Sequence, residues 1–223
     1  MKLVTNVRSP NFAPNEIPVE FLVLHYTACD IKRTLEIFKD REKKVCAHFV
    51  VDTNGDIYDL GGFFRGPILQ GAHAGVSNFT FQGRLLEKFN TFSIGIEIVN
   101  LNGNVFAYTD EQYEALAKLI NHLQGRFPKL LDPERVVGHE DIAGFRGKAD
   151  PGYHFDWPRF FREAYGVPSG PRRISVCSED DIRELKKIVK QATDQERADP
   201  LFWSRVSSEL EEKIRLRAQA RVQ

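Results

Sequence analysis

A mixed α/β fold, a central β-sheet flanked by helices with a helical hairpin appended at the C-terminus, is what this sequence predicts. Two apolar runs that end in polar residues have the pattern of buried central strands, and a stretch of helical period separates the second from a third short strand. The composition then changes beyond Gly170-Pro171, where two further helical patterns appear. With 223 residues the chain can bury one main core and carry an appendage, so we divide it into a body over residues 1–168 and helices over 169–223.

Residues 9–18 hold three prolines and read as an irregular arm before the first strand. Val19 to His25 is almost wholly apolar and delivers His25 at its end, as a central strand does. Thr34 to Lys39 supports a short helix. Val45 to Val51 and Ile57 to Leu60 flank Thr53-Asn54-Gly55-Asp56, whose Asn-Gly marks a hairpin. Phe63 to Asn90, rich in Gly, Asn, Ser and Phe with weak periodicity, reads as long loops forming a cleft wall.

In Phe92 to Asn100 the isoleucines 94, 96 and 98 alternate with Gly95, Glu97 and Val99, which puts Glu97 on the opposite face of a second central strand. Thr109 with Gln112 forms a capping-box pattern, and Tyr113, Leu116, Ala117, Ile120 and Leu123 recur at helical spacing up to Gly125 and Pro128. Arg135 to His139 is a short strand, followed by a glycine-rich loop from Gly144 to Gly152. Beyond it, Ser178 to Gln191 and Pro200 to Val222 are the helices of the appendage, their charged outer faces solvated.

Charge and composition narrow the function. Lys and Arg total 31, Asp and Glu also 31, so no global field draws the chain to nucleic acid or anionic membranes. Cys29, Cys46 and Cys177 are widely spaced and odd in number, giving neither a disulfide framework nor a metal-binding pair, and they favour a reducing compartment. Neither a signal-peptide core nor a membrane span is present, so the sequence points to the cytoplasm, or to the periplasm or exterior if a leader precedes it.

Six histidines occur. His25 and His139 each close a strand, and Asp150 follows in a loop shaped by Gly147, Pro151 and Gly152. Two imidazoles and a carboxylate would leave one tetrahedral position of zinc open, as catalytic sites require. A strand-end histidine that bonds a loop carbonyl is the competing reading for His139. Glu97 could equally be an exposed strand residue in an ion pair, and Lys148 a mobile loop cation.

Five segments carry a resemblance. LHYTA (Leu24 to Ala28), AHAG (Ala72 to Gly75), SIGIEIVN (Ser93 to Asn100), GHEDIA (Gly138 to Ala143) and KADPG (Lys148 to Gly152) resemble, in order, the signature blocks of the N-acetylmuramoyl-L-alanine amidase family. That family is related to peptidoglycan recognition proteins and amidase-type phage lysozymes, and the chain looks most similar to its bacterial wall-degrading or recycling branch.

The resemblance implies zinc held by His25, His139 and Asp150, and Glu97 with Lys148 as the catalytic pair. The implied reaction is hydrolysis of the amide joining the lactyl group of (anhydro-)N-acetylmuramic acid to L-alanine of the stem peptide. Muropeptides or the sacculus would then be the partner. A carboxylate held on a strand beside the metal site can move the proton of an attacking water, and an ammonium can stabilise the developing oxyanion.

His73 sits in a block that normally reads Trp-His-Ala-Gly, with Ala72 here in place of the aromatic, and is read as a groove residue or a donor behind the ligands. Arg84 is a candidate clamp for a stem-peptide carboxylate. His48, His122 and His154 are read as structural, and Cys29 as a small core thiol. The alternative function is a peptidoglycan-binding module without catalysis, which the complete ligand set disfavours. A nucleobase-type zinc deaminase is excluded because its His-x-Glu and Pro-Cys-x-x-Cys signatures are absent.

Overall fold

Phe21–Tyr26 is buried at all six positions because it pairs in parallel on both edges, with Ser93–Ile98 on one side and Val136–Gly138 on the other. The computed structural model describes residues 2–168, 170–171 and 173–220, with the backbone alone for Pro200. Ser169, where the appendage is expected to begin, and Val222, where its last helix is expected to end, lie outside the described residues.

Along the chain the strands are β1 (Leu3–Val4), β2 (Phe21–Tyr26), β3 (Phe49–Val51), β4 (Ile57–Asp59), β5 (Asn78–Phe81), β6 (Arg84–Glu87), β7 (Ser93–Ile98) and β8 (Val136–Gly138). The helices are α1 (Ile31–Lys39), α2 (Asp110–Arg126), α3 (His139–Ala143), α4 (Trp157–Tyr165), α5 (Glu179–Gln191), α6 (Asp194–Ala198) and α7 (Pro200–Ala220). Six strands form one sheet in the order β1-β4-β3-β7-β2-β8, parallel except at β3/β4, and β5 with β6 forms a separate antiparallel pair. The sheet is therefore mixed, as the sequence predicts.

The two faces of the sheet receive different cover. Leu22, Leu24 and Tyr26 of β2, with Ile94, Ile96 and Ile98 of β7, point into the main core beneath α2 and α4. α2 begins at the predicted capping box, Thr109 accepting from the Gln112 backbone while the Gln112 side chain accepts from Thr109. On the other face, Phe21 and Val23 pack with Phe81, Phe89, Val137 and Ile142 from the β5/β6 pair and α3.

The structure departs from the sequence reading in several places: β1 has no counterpart in it, and His139, expected to close a strand, opens α3 instead. The stretch read as continuous loop contains the β5/β6 hairpin, whose Gln82-Gly83 turn has both φ angles positive, 49° and 76°. Helix α4, capped by Asp156 and opened by Pro158, was not anticipated in the segment after the glycine-rich loop. Between the two appendage helices stands α6, with its own capping box of Thr193 and Glu196.

The C-terminal helices share a core with the body. Phe202, Trp203, Val206, Leu210 and Ile214 of α7 pack with Ile182 and Leu185 of α5 and with Ala149, which stands between Lys148 and Asp150. None of the described helices is long and apolar enough to cross a membrane.

Candidate active site

The register of the sheet assembles the site. His25 on β2 lies directly opposite Glu97 on β7, and Leu24 opposite Gly138 on β8, so the next residue, His139, opens α3 beside His25. The three side chains stand at the carboxyl ends of neighbouring parallel strands, where open α/β sheets expose ligand sites. Asp150 arrives from the glycine-rich loop, held by the Glu140 amide, which donates to the Asp150 carbonyl at 2.9 Å.

His25, His139 and Asp150 are all buried and offer ligand atoms that lie within 4.8 Å of one another. Asp150 Oδ2 is 3.0 Å from His25 Nδ1 and 3.1 Å from His139 Nδ1. The other ring nitrogens fix what those contacts are. His139 Nε2 faces the Ala74 carbonyl at 3.2 Å, which can only accept, so Nε2 carries the proton. His139 does bond a loop carbonyl, and this same bond frees its Nδ1 for a ligand role.

His25 reaches the same state through His73. His73 Nε2 faces the Ser93 carbonyl at 3.3 Å, and the Ser93 hydroxyl already donates to Phe89, so His73 Nε2 is the donor. Burial, and then the neighbouring His25 and His48 rings, hold His73 well below the usual histidine range, so its Nδ1 is an acceptor. His25 Nε2, 3.2 Å away, therefore donates to it. Burial and then the His139 ring push His25 down to about 4, which leaves its Nδ1 as a bare lone pair at neutral pH.

Lone pairs thus converge on one point. A buried carboxylate oxygen facing imidazole lone pairs at 3.0–3.1 Å is repulsive unless a cation sits among them. The donor set suits a divalent metal with nitrogen and oxygen ligands.

His73 fits beneath this site because Gly95 has no side chain: a Cβ there would lie 2.5 Å from the His73 ring. Glu97, two residues on, is half-buried, and its Oε2 is enclosed without a hydrogen-bond partner. Burial, followed by the charge of Asp150, pushes its carboxyl up to about 8 against the pull of Lys148. It makes no ion pair among the described residues.

Around these residues runs a cleft lined also by Lys148, Arg146, Ala72, Ser207 and Glu211. Lys148 is not a mobile loop cation: its Nζ lies 2.8 and 2.9 Å from the two carboxylate oxygens of Glu211 on α7. Ala72 leaves the aromatic-free position on this lining.

The structure places Arg84 away from the cleft. It is exposed on β6 of the separate hairpin and is not among the residues lining the cleft. The arginine that lines it is Arg146, whose Nη2 donates to the Ala74 carbonyl at 2.9 Å and whose Nε is buried without a partner. Its place two residues before Lys148 was the available signal. Ser207 and Glu211 had none, since they lie far along the chain and only packing brings them here.

The remaining histidines serve the framework. His48 accepts from the Gly95 amide at 2.9 Å and bonds the Leu69 carbonyl at 2.8 Å, His122 stacks on Phe64, and His154 lies outside the site. Cys29 is buried against Thr34, and burial raises its thiol.

Residues 15–153 match the model of the N-acetylmuramoyl-L-alanine amidase family. The Haemophilus influenzae 1,6-anhydro-N-acetylmuramyl-L-alanine amidase AmpD is 35% identical over 174 residues, covering 69% of this chain and 88% of that protein. Among solved structures, an AmpD derivative superposes with a TM-score of 0.60 at 31% identity, over 73% of this chain and 94% of that one. The Escherichia coli amidase AmiD, solved with anhydro-N-acetylmuramic acid-L-Ala-D-γ-Glu-L-Lys, gives 0.56 at 26% identity, over 81% of this chain and 67% of that one.

Proposed function

The chain belongs to the N-acetylmuramoyl-L-alanine amidase family, and we propose that it is a zinc enzyme that cleaves the lactyl–L-alanine amide of soluble anhydromuropeptides in peptidoglycan recycling. The observation that carries this reading is the convergence of His25 Nδ1, His139 Nδ1 and Asp150 Oδ2, with both rings' opposite nitrogens already committed as donors. His25, His139 and Asp150 would hold the zinc, which when bound supplies Lewis acidity toward the amide carbonyl.

Glu97 is the proton carrier. Its carboxylate, which lines the cleft beside the ligand residues, can take a proton from the attacking water and return it to the departing amine of L-alanine. The Lys148 ammonium stabilises the negative charge that develops on the carbonyl oxygen. His73 keeps His25 in the tautomer that presents Nδ1. Arg146, which lines the cleft where Arg84 does not, supplies a guanidinium for a stem-peptide carboxylate.

Anhydromuropeptide as substrate is supported by the name of the H. influenzae relative and by the ligand bound to E. coli AmiD. The test is mass spectrometry of the products after zinc-loaded protein meets soluble anhydromuropeptide and, separately, intact sacculi. Stem peptide released from the soluble fragment is the expected result, and release from sacculi as well would widen the substrate to the wall. No cleavage of either, with zinc demonstrably bound, would overturn the enzymatic reading in favour of a binding module.

A further inference from the structure

The C-terminal helix contributes to the cleft. Ser207 and Glu211, one turn apart on α7, line it together with His25, Glu97 and Asp150. Ser207 is buried, receives the Asn102 amide at 3.2 Å and the Tyr26 hydroxyl at 3.3 Å, and so ties α7 to the end of β2 just past His25. Gly147, at φ 98°, lets the loop touch the helix backbone, since a Cβ there would lie 2.0 Å from the Glu211 carbonyl oxygen. Ala149, between Lys148 and Asp150, is buried in the α7 core.

Both oxygens of Glu211 accept from the Lys148 ammonium, a pair in which each side chain is about 30% exposed. A lysine side chain has four rotatable carbons and three N–H donors, and by itself it would sample many positions. Two of the donors are fixed on Glu211, which sets where the third can point.

We propose that Glu211 is a positioning residue for the amidase reaction. It holds the Lys148 ammonium in the cleft so that its remaining N–H meets the developing oxyanion. The C-terminal helices are then a wall of the active site that completes it. This inference rests on the role given to Lys148 above, and its test separates the two. Holding a flexible cation before the reaction avoids reorganisation at the transition state, so its loss is felt in kcat and little in KM.

The experiment measures stem-peptide release from soluble anhydromuropeptide by the full-length, zinc-loaded protein and its variants, with zinc content and melting recorded for each. If the wild type releases nothing, the amidase reading fails and the inference falls with it. Given wild-type turnover, Glu211→Gln is expected to lower kcat about tenfold or more with KM changed by less than about threefold. Glu211→Asp, which keeps the charge, recovers part of the loss. In Lys148→Met, adding Glu211→Gln changes nothing further. An unchanged or increased kcat in Glu211→Gln, a loss confined to KM, or the same fold-loss with Lys148→Met in place would overturn the proposal. Should Glu211→Gln not fold, Glu211→Asp with and without Lys148→Met carries the same comparison.

Discussion

His25, Glu97 and His139 stand at the ends of three adjacent strands whose backbones are bonded to one another, whereas Ser207 and Glu211 reach the same cleft on a helix that docks mainly through side chains. In the first region each of the two histidines has a second contact that fixes it, the Ala74 carbonyl behind His139 and His73 behind His25. In the second region the position of Lys148 depends on one half-buried ion pair across 63 residues of chain. Half-exposed pairs of this kind add little to stability, so the Glu211 contact is better understood through orientation than through energy. Floor and wall therefore have different duties: the floor holds converging lone pairs in fixed positions, and the wall places a charge.

The largest expected effect would break this division outright. Asp150→Ala leaves the two imidazoles without the carboxylate, and zinc retention and activity should disappear together, the latter by roughly a thousandfold or more. Metal analysis beside the product assay checks it, and full activity in Asp150→Ala would remove Asp150 from the ligand set. Glu211→Gln, by contrast, should keep its zinc.

Glu97→Gln tests whether proton transfer is separable from metal binding within the floor itself. It is expected to retain zinc and to lose about 10²- to 10⁴-fold in kcat. His73→Ala comes next: with no acceptor behind His25, zinc affinity should weaken by about 10- to 100-fold, read by competition with a chelating dye. If His73→Ala binds zinc as tightly as the wild type, the tautomer relay is not what holds His25.

The smallest effect is a slope in stability with pH. In chelator-treated protein, Glu97 binds its proton more tightly folded than unfolded, so its contribution falls as pH rises from the ordinary carboxylate range through about 8. His25 and His48, both pushed down to about 4, act in the opposite direction and at lower pH, their contribution being lost as pH falls from the ordinary histidine range toward 4. Glu97→Gln should therefore melt higher than the wild type at pH 8 by on the order of 5 °C, with the gap closing near pH 5. Equal melting temperatures at both pH values would mean that Glu97 is not desolvated as the sheet register implies.

Much of the floor could be read in the sequence because its signals are local. Strand runs that end on His25 and near His139, the isoleucine alternation that turns Glu97 the other way, and the capping box at Thr109 all depend on a few adjacent residues. The β5/β6 hairpin was hidden because Gln82-Gly83 is a weaker turn signal than Asn-Gly, and Arg84 looked available only because its hairpin was read as cleft loop. Helix α4 carries local signals in Asp156, which caps it, and Pro158 in its first turn.

By itself the sequence determined the fold class, the family blocks and the residue types that could bind a metal, since short-range periodicity and spacing are written along the chain. Tertiary structure alone decided that His25 and Glu97 are register partners, that His73 sits against Gly95, that Arg146 rather than Arg84 lines the cleft, and that Glu211 grips Lys148. Each of these is a contact between segments distant in sequence. Such contacts follow from how the sheet pairs and how the last helix packs, and neither is encoded in the neighbours of the residues concerned.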